Sequence, residues 1–244
     1  MEKIRIQKYF SEAGVMSRRA AEAEIASGHI TVNGKVSKLG DTVDPDTDTV
    51  RLKGRKIVPR GGGRVYIMLN KPVGVVSTLS DEEGRQCLAD YIKNVGVRVF
   101  PIGRLDMYSD GLLLLTNDGE AANAVMHPSG GKTKVYRVVL SGKASGEDLN
   151  KLSSPMTIKE RDGSDYTVAP CPVKLILSDE DKTVIEMTLH EGRNRQIRRM
   201  CETLGLRVRR LTRISEGGIE LGSLPTGHWR HLTEDEISLL LPKK

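Results

Sequence analysis

The sequence predicts an α+β protein in two parts: a small helix-helix-hairpin domain over residues 1–60 and a larger domain over 64–244 built on a large mixed or antiparallel sheet. Three observations carry this expectation. The first ~57 residues are punctuated as two short helices and a hairpin, Gly61-Gly62-Gly63 follows as a break, and strand-like patterns outnumber helical ones from there on.

In the first part, Ile4 to Glu12 reads as a helix stopped at Gly14. Ser17 is placed to cap a second helix from Arg18 to Ser27, which Gly28 closes. HITV, Asn33-Gly34 and KVSKLG then form a hairpin, because Asn-Gly supplies the two positive φ values of a tight turn. LKGRKIVPRGGGRV combines basic residues with three glycines that have nothing to pack, and reads as a flexible linker with the domain boundary near residue 62.

In the second part, strands are expected at VYIMLN (65–70), LLLLTN (112–117), KVYRVVL (134–140), VKLIL (173–177) and TVIEMTLH (183–190). Helices are expected at Glu120 to His127, stopped by Pro128, near Glu147 to Leu152, and from Asn194 to Leu204. In the last, Ile197, Met200, Cys201 and Leu204 fall at helical spacing and make an apolar stripe. The irregular alternation of elements argues against a doubly wound parallel sheet.

Composition narrows the function. Of 244 residues, 38% are hydrophobic and 29% charged, enough for a packed core, and no stretch approaches the ~18 apolar residues of a membrane span. MEKIRIQKYF is charged and amphipathic, so a cytoplasmic protein without membrane association is expected. Cys87, Cys171 and Cys201 are widely spaced and lack a C-x-x-C or a nearby His, which points to reduced core cysteines and to neither disulfides nor zinc. The histidines show no metal-ligand spacing either. The net charge of +6 is uneven: residues 1–60 carry twelve Lys/Arg against eight Asp/Glu, residues 190–213 carry eight Arg against two Glu, and the remainder is net acidic. Two basic regions on an acidic chain suggest two contact surfaces for a polyanion, with nucleic acid as the leading partner.

Several residues stand out within these regions. Arg18 and Arg19 lie in the first turn of a helix, where unsatisfied N–H groups and the helix dipole also attract phosphate. Arg5, Lys8 and Lys35 extend that basic set. In GRLDMYSDGLLLLTNDGE (103–120), Asp106 follows Arg104 by two residues and precedes a leucine run that reads as a strand buried on both faces. A carboxylate so near a dry strand either pairs structurally with an arginine or is held for chemistry. Arg198, beside the apolar stripe, is best placed to point inward and supply the cation.

These residues carry two family resemblances. The order helix, G-x-x-S-R-R, helix, G-x-I-x-V-N-G-K resembles the small RNA-binding module first seen in ribosomal protein S-four. The second domain resembles pseudouridine synthases of the RsuA/RluB group through LNKPVG (69–74), GRLDMYSDGLLLLTNDGE, KVYRVVL and EGRNRQIRRM (191–200). That resemblance implies a pseudouridine-synthase-type catalytic domain that isomerises a uridine of ribosomal RNA without a cofactor. It implies Asp106 as the catalytic aspartate, Arg198 as its partner, and Tyr136 and Ile197 on either side of the flipped base. Arg104 would fill the vacated place in the RNA stack, and Arg195 would contact the RNA. Lys71, in N-K-P-x-G, would either touch phosphate or shape its turn. GEAANAVMHP and GRNRQIRRM look more like large-subunit than small-subunit enzymes. The chain is expected to act as a monomer; the alternative is a ribosome-assembly factor that binds RNA on the same fold without catalysis.

Overall fold

The computed structural model describes residues 3–58, 63–127 and 131–241. Gly61 and Gly62 of the expected linker, the boundary near 62 and the Pro128 helix stop lie outside these residues. Two compact units are present, one of residues up to Val65 with Val95–Phe100 and Asn117–Gly119, the other of the remaining residues.

The first unit starts with β1 (Ile4–Arg5) and α1 (Ile6–Glu12), then α2 (Arg18–Ala26), β2 (Ile30–Val32), β3 (Lys35–Val36), β4 (Thr42–Val43), β5 (Val50–Leu52) and β6 (Arg55–Ile57). The first helix is shorter than expected, because Ile4 and Arg5 are spent pairing antiparallel with Val43 and Thr42. Ser17 caps α2 by accepting from the Ala20 N–H, and Gly28 follows that helix at φ +71°. Asn33 and Gly34 both take positive φ, which closes β2 on β3. The linker reading fails over its first half. Lys53 and Gly54 also take positive φ and turn β5 onto β6, completing a four-stranded sheet in the order β3-β2-β5-β6. Ile6, Phe10, Ile25, Ile30 and Val50 form the core between helices and strands.

Apart from Phe100 and Gly119, the second unit holds β7 (Tyr66–Lys71), β8 (Phe100–Pro101), β9 (Asp110–Thr116), α3 (Gly119–Met126), β10 (Lys134–Ser141), α4 (Gly146–Ser153), β11 (Met156–Lys159), β12 (Asp165–Val168), β13 (Val173–Ser178), β14 (Lys182–Leu189), α5 (Gln196–Thr203), β15 (Val208–Glu216), β16 (Ile219–Glu220), β17 (Trp229–His231) and α6 (Glu234–Leu240). Its main sheet runs β13-β14-β10-β15-β9-β7-β17, with β16 on β15 and β8 on β9. The β9–β15 pair is parallel, whereas β13–β14, β14–β10, β10–β15, β15–β16, β9–β7 and β7–β17 are antiparallel. This is the expected α+β architecture with a large mixed sheet.

Every residue of β9 is buried, as a strand covered on both faces requires. β14 alternates instead, burying Thr183, Ile185, Met187 and Leu189 on one face. Onto that face packs α5 through Ile197, Met200 and Cys201. β15 sits at the middle of the sheet and was not expected, because VRRLTRISE lacks an apolar period. Gly111 makes its parallel contact possible: a Cβ there would stand 2.3 Å from the Arg213 carbonyl oxygen, and its φ is +103°. All three cysteines are unpaired and buried in the core. No described helix is long and apolar enough to cross a membrane.

Candidate active site

Asp106 lies in the loop that enters β9, and its carboxylate is fixed from within the loop. The Tyr108 N–H donates to Oδ1 at 2.8 Å, and the Ser109 hydroxyl donates to Oδ2 at 2.8 Å. Four residues outside the loop, three of them in the 71–77 stretch, then hold the loop itself. Ser77 Oγ donates to the Leu105 carbonyl at 2.6 Å, and the Leu105 N–H returns a bond to the same oxygen at 3.1 Å. The Gly74 N–H donates to the Met107 carbonyl at 2.7 Å. Arg198 Nη2 donates to the Tyr108 carbonyl at 2.7 Å, and Lys71 Nζ to the Ser109 carbonyl at 2.9 Å. A carboxylate anchored this way needs little reorganisation to meet a ligand.

The expected pairing of Arg198 with Asp106 is present as an ion contact, Nε to Oδ2 at 3.8 Å, without an aligned hydrogen bond. Arg198 is 9% exposed while the Asp106 side chain keeps 23% of its surface open. The cation is therefore behind the carboxylate and the carboxylate faces outward. Its face is a cleft of about 1140 Å³ lined by Asp106, Arg104, Tyr136, Arg195, Ile197 and Arg213, among others. This brings together five of the expected site residues, with Arg198 supporting from behind.

Each has a distinct setting. Arg104 is exposed at the cleft, directly before the Leu105 clamp. Tyr136 is half-buried on β10, against the core cluster that contains Ile197. Burial pushes its phenol up, opposed mainly by the nearby Arg213 guanidinium. Ile197 is 3% exposed, so it serves the core and the cleft wall together. Arg195 precedes α5 at φ +52°, a left-handed conformation that costs a non-glycine residue on the order of 1 kcal/mol.

Lys71 departs from the phosphate-contact expectation. It is fully buried, with Nζ donating to the Pro72 and Ser109 carbonyls at 2.8 and 2.9 Å, and burial pushes its ammonium down to about 8 against the pull of Asp106 and Asp110. It shapes the loop from inside. Arg5, Arg18, Arg19 and Lys35 are exposed on the first unit, and Lys8 is half-exposed with Glu12 3.6 Å away. Ser77, Ser109, Arg213 and Glu216 were missed by sequence reasoning. Small or charged polar residues carry no local signal that they are buried at a site, although Ser109 lies within the same motif as Asp106.

Residues 65–203 match the RNA pseudouridylate synthase family model. The chain belongs to the RNA pseudouridylate synthase family. Residues 4–48 match the S4 domain, the RNA-binding module expected at the N-terminus. The synthase is 42% identical over 239 residues to a protein of Bacillus subtilis named ribosomal large subunit pseudouridine synthase B, covering 97% of this chain and 95% of the relative. It is 40% identical over 235 residues to the dual-specificity RNA pseudouridine synthase RluF of Escherichia coli, covering 96% and 77%. A solved pseudouridylate synthase superposes with a TM-score of 0.69 at 27% identity, covering 98% of this chain and all of that one. The chain is an isomerase that acts on uridine in RNA.

Proposed function

We propose that this synthase converts a uridine of large-subunit ribosomal RNA to pseudouridine, with Asp106 as the catalytic residue and without a cofactor. The observation that carries the reading is the Asp106 carboxylate, buffered by two internal hydrogen bonds, backed by a buried arginine and open to a cleft wide enough for a nucleoside. The B. subtilis relative's name supports the choice of the large subunit.

The rearrangement breaks the bond from base N1 to sugar C1′, turns the base and joins its C5 to the same carbon. The C5 hydrogen leaves as a proton and N1 gains one, so no atom enters or leaves overall. No redox agent or group donor is needed. The target base leaves the RNA stack to reach Asp106, and Arg104 takes its place there. Tyr136 and Ile197 hold the base between them. As nucleophile or as proton acceptor, Asp106 works as a carboxylate, and the Arg198 guanidinium stands behind it at 3.8 Å. The first unit docks on structured RNA through Arg5, Lys8, Arg18, Arg19 and Lys35, and Arg195 adds a contact at the cleft. The chain works as a monomer in the cytoplasm.

A pseudouridine map of both ribosomal RNAs from cells lacking the gene tests this. One or a few large-subunit uridines should stay unmodified. A map identical to that of the parent strain, or a loss confined to the small subunit, contradicts the proposal.

A further inference from the structure

Two polar side chains on the cleft wall take no part in the chemistry above. Arg213 and Glu216 of β15 are each 1% exposed, and both line the cleft with Asp106 and Tyr136. In an unbroken strand, residues three apart face opposite sides of the sheet. Here the ladder pairs Tyr136 with Arg213 and Val135 with Ser215, skipping Ile214, and that bulge turns both side chains to the same face. Bulges beside active sites commonly re-aim a side chain in this way.

Arg213 is anchored by Nε, which donates to the Leu112 carbonyl at 2.7 Å. Its Nη2 lies 3.0 Å from Glu216 Oε2, an ion contact, yet neither atom has an aligned hydrogen-bond partner among the described residues. On the other carboxylate oxygen, Lys134 Nζ stands 3.9 Å away. A dry donor and a dry acceptor side by side cost stability unless something completes them.

We propose that Arg213 and Glu216 read the imide edge of the target base, Arg213 Nη2 donating to a ring carbonyl oxygen and Glu216 Oε2 accepting from N3–H. The inference rests on the isomerase reading and adds how the base is selected. Uracil presents a carbonyl beside an N–H, the complement of this donor and acceptor. Cytosine presents a bare N3, whose lone pair would face the Glu216 carboxylate, so it is repelled at a dry site.

The same pair suits the turn of the detached base. Exchanging N1 for C5 at the sugar carbon is a half-turn about the axis through C6 and N3. That turn swaps the two carbonyls and leaves N3–H in place. Glu216 therefore keeps one hydrogen bond through the whole rearrangement, and Arg213 exchanges one carbonyl for the other. The pair determines specificity and steadies the base; it does not attack the nucleoside.

The test uses a transcript carrying the uridine located by the deletion map, made with either uridine or 3-methyluridine at that position. Single-turnover rates on both are compared for the wild type and Glu216→Ala. The wild type should prefer uridine by a factor on the order of 10⁴, as sites built to hydrogen-bond a substrate N–H do. Glu216→Ala should slow the uridine transcript and cut the preference at least tenfold, because it removes the acceptor and makes room for the methyl group. Glu216→Gln, which keeps the shape, provides a second folded variant and should lower the rate with less effect on the preference. Where a variant has no measurable rate, the ratio of dissociation constants for the two transcripts is read instead. An unchanged preference in Glu216→Ala overturns the inference, since a purely structural role would slow both transcripts alike. No conversion of the uridine transcript by the wild type would instead overturn the isomerase assignment.

Discussion

The two basic regions look alike in sequence and differ in what their charges do. In the first unit, Arg5, Arg18, Arg19 and Lys35 are exposed and make no side-chain hydrogen bond or ion pair among the described residues. Of the eight arginines between residues 190 and 213, six are committed to the protein. Arg193 stacks on Tyr166 at 3.2 Å and reaches Glu160 at 3.3 Å, and Arg199 donates to Glu160 at 2.7 Å. Arg209 pairs with Asp181, Arg210 with Asp110, Arg198 with the Asp106 loop and Arg213 with Glu216. Arg195 and Arg207 alone keep their side chains unpartnered among the described residues. Most of the second region's cations are thus already held by acceptors within the protein, which leaves Arg195, at the cleft, and Arg207 as its side chains without an internal partner among the described residues. Local charge density does not reveal a binding surface; the acceptors around each cation decide.

That contrast can be broken by mutation. Arg198→Met removes the cation behind Asp106 and the anchor on the Tyr108 carbonyl, so the single-turnover rate should fall about 10²–10³-fold while RNA affinity holds. Normal turnover would remove Arg198 from the site. Exchanging both Arg18 and Arg19 for Ala should weaken RNA binding about tenfold and lower the slope of log affinity against log salt by about 2, with the rate at saturation unchanged. Arg195→Ala should behave like half of that change, reducing the slope by about 1. Arg209→Ala should alter neither slope nor rate and should leave the midpoint of a denaturant melt almost unchanged, because its pair with Asp181 is exposed. A salt slope that dropped in Arg209→Ala would restore the region as an RNA surface.

The difference between these regions also marks what the sequence could and could not convey. Asp106, Tyr136, Ile197 and Arg198 were legible because they sit in motifs of fixed spacing, and the leucine run announced β9 through its unbroken apolar character. β15 was not. A buried arginine at 213 and the bulge at Ile214 disturb the two-residue period on which strands are recognised. The β5–β6 hairpin was hidden for a different reason: Lys53-Gly54 serves as its turn, but in a basic, glycine-containing stretch it reads as linker. Lys71 and Glu216 show the general difficulty. A charged residue is normally exposed, and only the tertiary fold reveals one that is buried to hold a loop or face a substrate.

The central claim is that Asp106 performs the chemistry, and Asp106→Asn tests it most directly. The substitution keeps the shape of the side chain and its acceptor oxygen for the Tyr108 N–H while removing the charge. Single-turnover conversion of the transcript that carries the mapped uridine should fall to the uncatalysed level, with RNA affinity within about twofold of wild type. Pseudouridine formed by Asp106→Asn at a rate near that of the wild type would contradict the account.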